Sequence, residues 1–205
     1  MYEEWIKWGK DASLVAMFYE PVLKSMPAGS VYFGGTDAGR FWITMMNEVE
    51  DAGILCLTQN ALADNTYMGH VRYFYGDRLR LPTLEETSTA FQEYVEGVRS
   101  GRIPNHGGIE FANGRVTVSG ARAVMEINGI LLKNIFEWDR GKHGFFIEES
   151  YSIEWMKPYL RPCGAILKVE TKPLPPPRED PEFLEKTTAE DDAFGGEAGK
   201  RLVCA

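Results

Sequence analysis

The chain has 205 residues, 44% of them hydrophobic, and a formal net charge of −8. That length and apolar fraction support one domain with a full core, and the negative charge argues against a general nucleic-acid or anionic-membrane binder. No apolar run approaches the roughly 18 residues of a membrane span, and Met1-Tyr-Glu-Glu-Trp5 has acids where an export signal needs bases.

Residues 2–25 read as an amphipathic helix, with Trp5, Trp8, Ala12, Val15, Phe18 and Val22 at spacings of three and four. Pro21 should kink or end its last turn. The organising stretch follows: Val31-Tyr-Phe-Gly-Gly-Thr-Asp-Ala-Gly-Arg-Phe41. It predicts a buried strand, a glycine turn and a helix start, with Thr36 or Asp37 as cap. The helix over Arg40 to Val49 has Phe41, Met45, Met46 and Val49 as its apolar side and Gly53 as C-cap.

Ile54 to Thr58 is a continuous apolar run of strand length, as expected in a parallel sheet covered on both faces. It exits into Gln59-Asn-Ala-Leu-Ala-Asp-Asn65, ahead of a helix from Asn65 to Tyr75 with Tyr67, Val71 and Phe74 on one side. Arg78 to Leu81 reads as a short edge strand. Thr83 and Glu86 form a capping box for a helix to about Arg99. Asn113-Gly114 is a two-residue turn signal, so Ile109 to Val118 reads as a β-hairpin.

A long helix from Ser119 or Gly120 to about Trp138 carries the stripe Val124, Ile127, Leu131, Ile135 and Trp138, with Glu126 and Asn128 on a solvated flank. Gly144 to Ile147 is another buried strand, ending in Glu148-Glu149-Ser150. Ile153 to Leu160 is a short helix stopped by Pro158 and Pro162, and Gly164 to Val169 is the last strand. From Thr171 the chain turns proline-rich and then charged, which reads as a mobile tail. The expectation is therefore a single α/β domain over 1–170 with a tail over 171–205. The fold class is three-layer and Rossmann-like, with a mainly parallel sheet and the hairpin as insertion or edge.

The cysteines, Cys56, Cys163 and Cys204, have no metal or redox spacing, and Cys56 reads as a small core residue. His70, His106 and His143 lack ligand spacing, so no histidine metal site is expected. There is no Gly-x-Ser-x-Gly elbow, Walker loop or Gly-x-Gly-x-x-Gly fingerprint.

Three strands each end in a polar cluster: Thr36, Asp37 and Arg40; Gln59, Asn60, Asp64 and Asn65; Glu148 and Glu149. Parallel strands would bring these to one sheet edge, where open α/β folds bind ligands. Carboxylates and amides grip sugar or ribose hydroxyls, Asp37 with Glu148 or Glu149 suits a divalent cation, and Arg40 suits an anion. The structural counterpart is that Asp, Asn and Ser cap helices and fill turns, with Arg40 paired to Glu148.

Two resemblances bear on function. Pro158-Tyr-Leu-Arg-Pro-Cys-Gly-Ala-Ile-Leu167 resembles a late segment of S-adenosylmethionine-dependent methyltransferases, although Gly34-Gly-Thr-Asp-Ala-Gly39 departs from their early glycine loop. More extensively, Tyr32 to Phe41, Thr58-Gln-Asn-Ala-Leu-Ala-Asp-Asn-Thr-Tyr67, Val124-Met-Glu-Ile-Asn-Gly-Ile130 and Phe146 to Met156 resemble the soluble C-terminal region of bacterial multi-spanning, protein-O-mannosyltransferase-like membrane proteins, a domain-of-unknown-function family. That likeness covers about residues 25–170. It implies an extracytoplasmic lobe of a membrane glycosyltransferase, with the catalytic acids in a membrane portion outside this chain. A chain complete as given would instead be cytoplasmic.

The leading expectation is an accessory α/β domain, non-catalytic by itself, that binds a polar small molecule or glycan. The second is a stand-alone transferase using a nucleotide sugar or S-adenosylmethionine at the same edge. The third is a structural or interaction domain. No nucleic-acid partner is expected, and the sequence names neither a cofactor nor an oligomeric state.

Overall fold

A computed structural model describes residues 19–35, 37–104, 109–113, 115–148, 153–164 and 166–175. The chain divides into two compact units, Met1–Leu57 with His143–Ala205, and Thr58–Lys142. It is a mixed α/β protein. The predicted helix before residue 19 and the tail beyond 175 lie outside the described residues.

The first unit is built on a five-stranded, mainly parallel sheet. Its strands are β1 (Val31–Gly34), β2 (Leu55–Thr58, whose last residue passes into the second unit), β5 (Phe145–Ile147), β6 (Leu160–Cys163) and β7 (Ile166–Val169). Their order is β2-β1-β5-β7-β6. β1 and β5 are parallel, with Val31 opposite Phe145, Tyr32 opposite Phe146 and Phe33 opposite Ile147. β7 runs antiparallel to both β5 and β6, so β6 points the same way as β1 and β5.

Helix α1 (Asp37–Glu50) connects β1 to β2. Residues 19–24 are helical, and Pro21 offers its carbonyl to Ser25 at the end of that helix. Val22, Leu23, Met26, Tyr32, Ile43, Ile54, Phe146 and Ile166 form one core cluster. Val31, Phe33, Phe145 and Ile147, on the opposite side of the pleat, are also buried, and the Phe33 and Phe145 rings lie 5.6 Å apart. Both faces of β1 and β5 are thus covered, which explains why their sequences are apolar at every position.

The buried face of α1 differs from the expected one. Ile43 and Asn47 are buried, whereas Phe41 and Val49 are 59% and 69% exposed. Asn47 occupies a core position because its amide does a strand's work. Its Oδ1 accepts from the Ile54 N–H at 2.8 Å, and its Nδ2 donates to the Ile54 carbonyl at 3.1 Å. This side-chain bridge fastens the start of β2 to the helix before it.

A second difference lies at the far edge of the sheet. A 3-10 helix (Glu154–Tyr159) leads straight into β6, which contains Pro162 opposite Leu167. In the sequence this proline looks like a helix stop. On an edge strand its missing N–H costs no ladder bond. The turn to β7 passes through Gly164 at φ +62°.

The second unit holds α2 (Asn65–Tyr75), α3 (Leu84–Arg99), β3 (Ile109–Ala112), β4 (Arg115–Val118) and α4 (Ala121–Asp139). The hairpin forms about Asn113 at φ +51°, with Ala112 opposite Arg115. It is a separate two-stranded sheet, an insertion and not an edge of the larger one. Tyr94, Val95 and Val98 of α3 cluster with Ile109, Ala123 and Ile127. Residues 78–81 form a loop instead of the expected strand, held by the buried Asp139 carboxylate, which accepts the Arg80 N–H at 2.8 Å. The Arg80 guanidinium lies 3.8 Å from the centre of the Trp138 ring. Val124 and Phe74, expected to be buried, are 42% and 67% exposed.

Candidate functional site

The chain leaves β1 through Gly34 and Gly35 and enters α1 at Asp37. The turn is tight because α1 backs directly onto it. A Cβ added to Gly34 would lie 2.8 Å from the Arg40 Cβ, 3.0 Å from the Arg40 Cα and 3.2 Å from Tyr32 Cε1. Glycine is therefore required here for close approach.

β5 ends beside this turn. The Glu148 N–H reaches the Phe33 carbonyl at 3.4 Å, and the Glu148 Oε2 accepts the Gly35 N–H at 3.2 Å. The half-buried Glu148 side chain therefore closes over the exit of β1 from the neighbouring strand. Its charge is felt by two phenols of the same unit. Burial first, then Glu148, raises both Tyr32 and Tyr19 above the ordinary tyrosine range. Tyr19 stacks on Trp42 of α1, with centroids 6.4 Å apart and an interplanar angle of 26°. The exposed Phe41 meets Trp42 edge-on at 5.3 Å.

The position of this group in the topology is distinctive. β1 connects through α1 to β2 on one side, while β5, from more than a hundred residues later, lies on its other side. The strand order reverses between β1 and β5, and the Gly35–Glu148 contact lies at their carboxyl ends. Such reversal points open the crevice in which α/β sheets hold ligands.

Of the expected site residues, Arg40 and Glu148 belong to this turn. Asp37 opens α1, and Thr36 and Glu149 lie outside the described residues. The remaining four belong to the second unit. Gln59 is buried. Asp64 is the N-cap of α2, its Oδ1 accepting the Tyr67 N–H at 2.7 Å, and Asn65 is the exposed first residue of that helix. Asn60 contributes its carbonyl to the amide of Asn128, which is buried and not on the expected solvated flank. Asn128 accepts the Ala63 N–H at 2.9 Å and donates to the Asn60 carbonyl at 3.3 Å and the Val124 carbonyl at 2.7 Å. The Tyr67 hydroxyl accepts the Thr58 N–H at 2.6 Å. Residues 58–64 are thus held from α2 and α4 by side chains that replace backbone partners.

Among the described residues, no group of three or more His, Cys, Asp or Glu is placed to hold a metal ion. None of the described helices is long and apolar enough to cross a membrane. His143 is committed to the Gly29 carbonyl at 2.7 Å. No protein family, curated protein or solved structure matches the chain.

Proposed function

We propose that the first unit is a ligand-binding α/β domain whose site is the crevice at the carboxyl ends of β1 and β5, and that its ligand is rich in hydroxyl groups, of the sugar or glycan class. The observation that carries this reading is the Glu148 carboxylate on the Gly35 N–H at the strand-order reversal. A carboxylate at such a point is an acceptor for vicinal hydroxyls. The neighbouring aromatic rings, Tyr19, Trp42 and the exposed Phe41, offer apolar surface to the carbon face of a ring that is polar at its rim. The sequence likeness of Tyr32 to Phe41 and Phe146 to Met156 to the lobe of mannosyltransferase-like membrane proteins supports the same ligand class and an accessory, non-catalytic role. The burial of both faces of β1 and β5 supports a three-layer, Rossmann-like arrangement.

A second reading is favoured by one feature. A glycine turn running into a helix at a reversal point is also where nucleotide-type cofactors sit. On that reading the domain is a transferase using a nucleotide sugar or S-adenosylmethionine at the same crevice.

The test is thermal unfolding of the full chain against neutral mono- and oligosaccharides, nucleotide sugars and S-adenosylmethionine, with Glu148→Ala alongside. A ligand at 100 times its dissociation constant adds about 2.7 kcal/mol to stability. Stabilisation by a neutral saccharide, absent in Glu148→Ala, is the expected result. Stabilisation by a cofactor selects the transferase. No response to any compound leaves the turn a structural feature.

A further inference from the structure

Helix α1 buries Ile43 and Asn47. Phe41, Met45 and Val49 each lie two residues from one of these, which on an α-helix is nearly the opposite side. Phe41 and Val49 are exposed and Met45 is half-buried. Apolar residues at i, i+4 and i+8 make the stripe by which a helix packs on another element, and here that stripe faces outward. It ends among acids. Glu48, Glu50 and Asp51 are all exposed. The last turn of α1 has no basic residue, and no Lys or Arg occurs between Arg40 and Arg72. Glu48 accepts a long contact from Asn47 Nδ2 at 3.5 Å, and none of the three carboxylates is in an ion pair among the described residues. Negative charge at a helix C-terminus adds to the negative end of the helix dipole, so the arrangement is unfavourable in the isolated protein.

We propose that the outer face of α1 is a docking surface for a cationic amphipathic helix of a partner protein. The apolar side of that helix covers Phe41, Met45 and Val49, and its lysines or arginines meet Glu48, Glu50 and Asp51. Charge selects this occupant over the others an apolar stripe could take. A second copy of the chain, packed about a two-fold axis, would set the same carboxylates against one another, and an anionic bilayer would be repelled by them. A basic helix gains on both counts, because it buries the stripe and relieves the acids at the helix end. Phe41 is shared with the ligand crevice proposed above. The test is therefore made at Val49 and the carboxylates, two turns further along the helix, where its outcome does not depend on saccharide binding.

The probe is a synthetic helical peptide with leucine along one face and lysine along the other. It is titrated calorimetrically into the full-length protein, beside the same peptide with glutamate in place of lysine. The wild type is expected to bind the lysine peptide and not the glutamate one. Val49→Ser removes the end of the stripe, and the triple variant Glu48→Gln, Glu50→Gln, Asp51→Asn removes the charge. Each is expected to lose at least about tenfold in affinity for the lysine peptide. In thermal melts the triple variant should unfold at or above the wild-type temperature, since it takes acids away from a helix C-terminus, and this separates lost binding from lost folding. No binding of the lysine peptide, equal binding of the two peptides, or affinities unchanged in both variants overturns the proposal. So does self-association of the wild type that strengthens in the triple variant, which would give the face to a second copy.

Discussion

Single polar side chains do much of the organising here. Asn128 is buried on α4 and satisfies two carbonyls and one N–H in the 58–64 loop and its own helix. Asn128→Ala leaves those groups without their partner, a loss of about 1–3 kcal/mol. Asn128→Asp is expected to be worse at neutral pH, because an acceptor-only group would then face the Asn60 and Val124 carbonyls. Urea denaturation of the two variants checks both the size and the order. Neither Asn128 nor Asn47 was legible in the sequence. Each stands at a helical position where an amide ordinarily faces water, and its value comes from a backbone segment that only the fold brings near. Glu148 draws attention in the sequence because a carboxylate directly after a buried strand stands where open α/β sheets commonly bind ligands. Its partner was not legible, since no pattern in the chain ties residue 148 to the Gly35 N–H.

At the scale of elements, local chemistry was read well wherever the signal lay within a few residues. Thr83 and Glu86 form the expected capping box, with bonds of 3.2 and 2.9 Å, and Thr83→Ala should cost about 1 kcal/mol in denaturant unfolding. Asn113-Gly114 marked the hairpin correctly for the same reason, that its turn chemistry is local. Helix faces were read less well. In α1 Phe41, Met45, Met46 and Val49 look like an apolar stripe, yet Ile43 and Asn47 are the buried residues, and of those four Met46 packs against the core cluster while Phe41 and Val49 are exposed. β6 escaped because Pro162 ends most elements and is harmless only at an edge, a property of strand order. The packing of α1 on β1 gives a further expectation. Gly34→Ala forces a methyl against the Arg40 backbone at 3.0 Å. The helix must shift, so the variant should lose about 1–3 kcal/mol and weaken saccharide binding, measured by urea unfolding and calorimetric titration.

For the whole molecule, the buried acids set a pH dependence on the alkaline side. Burial above all, with the Glu48 charge adding and a Thr44 hydrogen bond opposing, pushes the Cys56 thiol from an ordinary 9.0 up to about 12. Tyr19, Tyr32 and Tyr94 are raised in the same direction, burial again leading. The folded state holds these protons after the unfolded chain has released them. Their contribution is therefore complete below about pH 9 and is lost progressively as pH climbs toward 12. Denaturation midpoints should be level on the neutral side of that window and fall across it. A midpoint that rises there would contradict the assignment. The same burial should keep the Cys56 thiol unreactive toward alkylating reagents at neutral pH until the protein unfolds.

The proposed hydroxyl-rich ligand would bind where β1 and β5 end, against Glu148. The most direct measurement follows the Gly35 backbone amide by two-dimensional NMR while a neutral oligosaccharide is added to the wild type and to Glu148→Ala. The Gly35 and Glu148 resonances of the wild type are expected to move and saturate together, and the Gly35 resonance of the variant to stay fixed. Saturating shifts that leave Gly35 untouched, or identical shifts in both proteins, would contradict this placement.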